Sequence, residues 1–154
     1  MMEVVRERRV GAPVERVWEL ASSVERMPEW FTFADRMEIL EGQGLGRRQR
    51  LHGHWGKRRS EVDQEIVEFE PPRLLAWRHL AERLDGKPAP RFASLTEFRI
   101  VLQPVGETAT QVRLESRQEP ASAVRGLVMR LFGTREVAQQ MERSLDRLAS
   151  TVKA

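Results

Sequence analysis

The run RRQRLHGHWGKRRSEVDQE, residues 47–65, crowds arginines, two histidines and a tryptophan into nineteen positions. Gly56-Lys57 reads as a two-residue hairpin turn, with glycine at the first central position as type II′ requires. Trp55 then faces Arg58. One face of the hairpin carries His54 opposite Arg59, His52 opposite Glu61, Arg50 opposite Asp63 and Arg48 opposite Glu65. The other carries Gly53 opposite Ser60, Leu51 opposite Val62, Gln49 opposite Gln64 and Arg47 opposite Ile66. The first face is a ladder of opposite charges. Each matched pair contributes roughly 0.2–1 kcal/mol, and a slip of one residue scrambles them all. The charges therefore specify register and a solvated surface.

A second hairpin follows the same rule around PVGETA. Phe98 falls by Ser116, Ile100 by Leu114 and Leu102 by Val112 on one face, with Arg99 by Glu115 and Glu97 by Arg117 on the other. Two hairpins with an ionic outside make an antiparallel sheet with one wet face. From Glu119 the apolar period changes from 2 to 3.6. Val124, Leu127, Val128, Leu131, Ala138, Met141, Leu145, Leu148 and Val152 form a helical stripe that should cover the dry face. The one longer gap holds Gly133-Thr134, a place for a kink and a new cap.

The remaining chain completes an α+β order. Met2–Val10 is a strand. APVERVWELA begins a helix with Pro13 in its first turn, and Ser22 with Glu25 forms a candidate capping box for a second short helix that Pro28 stops. Arg36–Leu40 and Leu74–Leu80 are further strands, and LDGKPAP is a loop. Near the end of the strand from Arg58 to Phe69, Ile66 points inward while Val67 and Phe69 also favour burial, which a β-bulge near Ile66–Val67 reconciles. At 154 residues, with no repeat or linker, a single domain over 1–154 is expected.

Composition narrows the function. There are no cysteines, so disulfides, Cys-ligated zinc and a thiol nucleophile are excluded. No window approaches the ~20 apolar residues of a membrane span, and the charged N-terminus is no signal peptide. A cytoplasmic location is expected. The pI of 10.1 accompanies a net charge of only +3, because 23 Arg and 3 Lys face few groups that titrate above neutrality. No nucleic-acid partner is expected from it.

The dry face is not uniformly apolar. It mixes Leu51, Val62, Ile66, Phe98 and Ile100 with Gln49, Gln64, Ser60, Ser116 and Gln118. Buried amides need partners. An apolar pocket with a few polar groups is the usual form of a small-molecule site. The expected ligand-binding residues are Gln49, Leu51, Trp55, Val62, Gln64, Trp77, His79, Phe98 and Ile100, with Met129 and Phe132 from the helical segment. Gln49, Gln64 and His79 would orient the ligand.

His52-Gly-His54 with Glu61 and Asp63 has the donor types of a zinc or iron site, but arginines flank it and the spacing is loose, so no metal is assigned. The arginines of the first hairpin with Trp55 resemble a phosphate and stacking patch, but carboxylates neutralise it. His79, two residues after Trp77, is the candidate acid or base if the protein is an enzyme; otherwise it is a hydrogen-bonded wall residue.

The stretches APVERVWELASSVERMPEW, GQGLGRRQRL, IVEFEPPRLLAWRH and FRIVLQPVGETATQV, with the C-terminal amphipathic helix, resemble the START-like (SRPBCC) superfamily. The nearest branch is the polyketide cyclase/dehydrase and lipid-transport group. Ala109 stands where that pattern often has glycine. The resemblance implies a helix-grip fold: a curved antiparallel sheet of about seven strands around a long C-terminal helix, with two short helices after the first strand. It also implies a cavity for an apolar molecule. It supplies no universal catalytic residue. The expected function is therefore binding of a hydrophobic or aromatic small molecule, lipid- or polyketide-like, without a cofactor. The alternatives are a polyketide cyclase/dehydratase-like enzyme or a protein-interaction module. A homodimer is left open.

Overall fold

The computed structural model describes residues 1–89, 93–128, 130 and 133–153. The strands are β1 (Met2–Val10), β2 (Arg36–Glu41), β3 (Arg48–Trp55), β4 (Arg58–Glu70), β5 (Leu74–Leu84), β6 (Lys87–Pro88), β7 (Ala93–Val105) and β8 (Ala109–Pro120). The helices are α1 (Val14–Ser22), α2 (Met27–Trp30), α3 (Ala123–Val128) and α4 (Thr134–Lys153). One antiparallel sheet runs β1-β8-β7-β5-β4-β3-β2, and β6 pairs with β5. This is the expected α+β helix-grip order, with two short helices after the first strand and a long C-terminal helix.

Both hairpins have the expected register. Arg48 through Trp55 pair with Glu65 through Arg58, and Phe98, Ile100 and Leu102 pair with Ser116, Leu114 and Val112. Gly56 has φ 58 while Lys57 is not in the left-handed region, as a type II′ turn demands. The β4–β5 ladder slips between Ile66 and Glu68, leaving Val67 as the extra residue. Ile66 is therefore buried and Phe69 packs against the same core and against Trp18 at 5.7 Å, as expected, while Val67, the bulged residue, is only half-buried and outside the core cluster. A second slip, between Asp63 and Gln64, was not foreseen; it makes Leu80 the extra residue and sets His79 directly opposite Gln64.

Several local expectations are corrected. Pro28 does not stop a helix but sits in the first turn of α2, where its missing N–H costs nothing. The capping box does not form, because the Ser22 hydroxyl donates back to the Trp18 carbonyl at 2.7 Å. LDGKPAP is partly a strand, β6, turned back on β5 through Asp85 and Gly86, both with positive φ. The C-terminal stripe begins later than expected, with β8 extending to Pro120 before α3; residues 129, 131 and 132, between α3 and α4, lie outside the described residues. The Thr134 hydroxyl donates to the Arg130 carbonyl at 3.2 Å, a bond back along the chain and not an N-cap.

The core lies between the inner sheet face and the helices. α4 buries Met141, Ser144, Leu145, Leu148, Ala149 and Val152, spaced at threes and fours. It packs on β1, α1, α2 and β8. Arg16 of α1 donates to the Val152 carbonyl at 2.6 Å, and the Thr32 amide donates to the Ser144 hydroxyl at 3.0 Å. None of the α3 residues is buried; Val124, Leu127 and Val128 are exposed.

Candidate functional site

The outer sheet face is an ion-pair network. Asp63 lies between Arg50 and Arg83, at 2.7 and 2.8 Å, and Arg78 meets Glu65 at 2.9 Å. Arg99 meets Glu68 and Arg113 meets Glu115, each at 2.8 Å. The hydrogen bond from Arg50, then those from Arg83, hold the Asp63 carboxyl below its usual range. The same contact raises Arg50.

The two histidines of the first hairpin belong to this face but do not converge. His52 meets Glu38 of β2 at 3.0 Å, and His54 meets Asp35 at 2.7 Å. Their partners are on the neighbouring strand side and not across the hairpin, so the His52–Glu61 rung is in register without being an ion pair. Among the described residues no group of three or more His, Asp or Glu side chains is placed to hold a metal.

The inner face brings most of the expected ligand residues together. Gln49, Gln64 and His79 stand in one row across β3, β4 and β5. Ile66, Trp77 and Phe98 form the next row, with Ile100 beyond and Leu51 and Val62 on the other side. Trp77 and Phe98 stack at 5.8 Å and 13°. Phe31 meets both edge-on, at 5.4 and 5.6 Å, and Phe33 lies 5.5 Å from Phe98. The His79 ring is 6.0 Å from Phe98. Such pairs add ≈ 0.5–1.5 kcal/mol beyond the area they bury.

Of the three remaining expected residues, one is exposed and two are not among the described residues. Trp55 is on the expected side of β3 but is 75% exposed, because it ends the strand at the hairpin tip, past the elements that cover the sheet. Met129 and Phe132 lie outside the described residues. The described residues form surface depressions of about 500 Å³, against α3 and the N-terminus, and about 470 Å³, on the ionic face. Neither is lined by Gln49, Gln64, Trp77, His79 or Phe98. The open room expected between sheet and helix is occupied, at least around Trp77 and Phe98, by the rings of Phe31 and Phe33.

The buried polar groups run in a chain. Arg47, only 9% exposed, donates from Nε to Gln49 Oε1 at 3.1 Å, and Gln49 Nε2 donates to Gln64 Oε1 at 2.8 Å. Gln49 and Gln64 are fully buried. Burial pushes the Arg47 guanidinium below the usual arginine value, opposed by the charge of Glu25. At the far end, Gln64 Nε2, Trp77 Nε1 and His79 Nδ1 are buried without a hydrogen-bond partner, as is Trp30 Nε1. His79 Nδ1 lies 3.4 Å from Glu82 Oε1 without hydrogen-bond alignment. An orphaned buried group of this kind costs ≈ 1–3 kcal/mol.

Arg47, Trp30, Phe31 and Phe33 were not among the expected ligand residues. Strand alternation already set Arg47 on the inner side, opposite Ile66; its charge argued the other way. Trp30, Phe31 and Phe33 come from α2 and the segment after it, where alternation says nothing about facing.

No curated protein matches the sequence. Solved structures do. A protein from Thermus thermophilus aligns at 22% identity over 98% of this chain and 97% of that one, with a TM-score of 0.75. The Zhui aromatase/cyclase from Streptomyces sp. R1128 aligns at 18% identity over 99% and 93%, TM-score 0.72. A START superfamily protein from Mycobacterium smegmatis aligns at 16% over 96% and 92%, TM-score 0.67. These likenesses establish the fold. Residues 1–153 match the family described as polyketide cyclase/dehydrase and lipid transport, and with a helix-grip fold over that whole length the chain belongs to it.

Proposed function

We propose that the protein binds a hydrophobic or aromatic small molecule against the inner sheet face, between β3, β4, β5, β7 and the helices. The observation that carries this reading is the juxtaposition of an aromatic wall, Phe31, Phe33, Trp77 and Phe98, with buried polar atoms that have no protein partner. A wall kept only for packing gains nothing from orphaned indole and amide groups, which cost stability. A binding wall does, since its polar atoms fix a ligand's orientation. Phe31 and Phe33 precede β2 and cover Phe98, so ligand entry requires their rings to yield. Native mass spectrometry of the purified protein tests this: a co-purified lipophile, or uptake of an added aromatic at 1:1, is expected. Failure of a broad set of lipophiles to bind or to raise the melting temperature sinks it.

A cyclase or dehydratase activity is the second reading, favoured by one observation. His79 is 15% exposed, beside Phe98, with Nδ1 3.4 Å from the Glu82 carboxylate and making no hydrogen bond. A histidine so placed is able to exchange a proton with a bound substrate. His79→Ala abolishes turnover and leaves ligand affinity within a few-fold if this is right; equal turnover by the variant removes His79 from any mechanism.

A further inference from the structure

The amide chain on the inner face has a direction. Asn and Gln oxygen and nitrogen are told apart by the hydrogen bonds around them. Arginine resolves the matter here, because a guanidinium donates and never accepts. Arg47 Nε at 3.1 Å obliges Gln49 to present its oxygen to Arg47. Gln49 then has its Nε2 left for Gln64, which accepts through Oε1 at 2.8 Å. Gln64 is left presenting Nε2, fully buried and unpartnered.

The other orphans have the same polarity. Trp30 Nε1 and Trp77 Nε1 are donors only. Of the four buried unpartnered atoms on the described residues, three donate and the fourth, His79 Nδ1, takes either role. The wall therefore offers hydrogens and asks for lone pairs.

We propose, building on the small-molecule reading above, that Arg47 sets the sense of the Gln49–Gln64 chain and so makes this interior selective for aromatic ligands bearing acceptor oxygens, carbonyl or ether in type. Arg47 acts through the two glutamines and is a positioning residue. Remove its donor and both amides are free to turn over, after which Gln64 presents oxygen and the preference for acceptors disappears. Lysine at the same place restores it, since an ammonium also only donates.

The test uses two probes of equal shape, 2-acetylnaphthalene and 2-isopropenylnaphthalene, which differ by C=O against C=CH2. Their dissociation constants are read from quenching of tryptophan fluorescence in the full-length protein. The wild type is expected to bind the ketone about tenfold more tightly, one good hydrogen bond's difference. Arg47→Met and Gln64→Leu each bring the ratio to one or invert it; Arg47→Lys keeps the wild-type ratio. Should Arg47→Met not fold, the Gln64→Leu ratio and the amide sense read by neutron diffraction decide together. Equal binding of both probes by the wild type overturns the inference and leaves the small-molecule reading standing. Binding of neither overturns both. Neutron diffraction reads the amide sense without any ligand: deuterons on Gln49 Nε2 directed at Gln64 agree with the proposal, and the reverse arrangement overturns it whatever binds.

Discussion

At the scale of single residues, charge is a poor guide to side here. Arg50 and Arg47 are three apart on one hairpin, yet one is in the outer ion-pair network and the other runs into the amide chain. Asp63 shows what the outer pairs do. Its native carboxyl is held below the ordinary value, first by the Arg50 hydrogen bond and then by Arg83. A depressed native pKa gives stability that is complete above the unfolded value of about 3.9 and drains away as pH falls through the native one. Asp63→Asn should therefore destabilise by about 1.5–3 kcal/mol at pH 7, the range for hydrogen bonds to a charged group. The deficit should shrink as urea unfolding is repeated from pH 5 down to the lowest pH at which the wild type folds. A deficit that stays constant over that range refutes the attribution. Arg47 was legible only in part: alternation set its facing, while the ordinary expectation that arginine seeks water hid its burial. Trp55 is the opposite case, since parity names a face but not whether anything covers it.

At the scale of elements, the hairpins were legible because a two-residue turn leaves one register, which the Arg50–Asp63 ion pair across it agrees with, while Arg48 and Glu65 take partners on β2 and β5 instead. The start of the C-terminal helical region was not, because β8 runs on to Pro120 and an apolar stripe does not mark the residue at which α3 begins. The β3–β4 hairpin contains two glycines whose roles differ, and substitution separates them. A Cβ on Gly56 would meet nothing within 4 Å, so Gly56→Ala costs only the left-handed backbone, about 1–2 kcal/mol. Gly56→Asn should recover much of that, since asparagine tolerates the same region. A Cβ on Gly53 would stand 2.7 Å from the Phe33 carbonyl oxygen. Gly53→Ala should thus cost about 1–3 kcal/mol by forcing that backbone away, and Gly53→Asn should be no better than alanine. Chemical-denaturation midpoints of the four variants check the pattern. If asparagine is equally harmful at both positions, the distinction between conformational and steric glycines fails.

At the scale of the whole molecule, the candidate wall and the hydrophobic core are one body. Trp77, Phe98 and Phe31 belong to the same buried cluster as Leu145 and Leu148 of α4 and Val10 of β1. α4 is tied to β1 through Arg6–Glu142 and Arg8–Asp146, and to the Phe31–Phe33 segment through Thr32 and Ser144. A ligand seated against that wall binds the folded chain and not the unfolded one, so it should report on global unfolding. At a hundred times its Kd it stabilises by about 2.7 kcal/mol. For a chain of this size each kcal/mol moves the midpoint by about 2–4 °C, so a rise of about 5–11 °C is expected in a thermal melt with 2-acetylnaphthalene. Weakening the ligand tenfold by Gln64→Leu at the same concentration leaves about 1.4 kcal/mol, roughly half the shift. Leu127→Ser, in the depression against α3, should leave the shift untouched. The reverse pattern, a shift that survives Gln64→Leu and vanishes with Leu127→Ser, moves the ligand out of the core and onto the α3 surface.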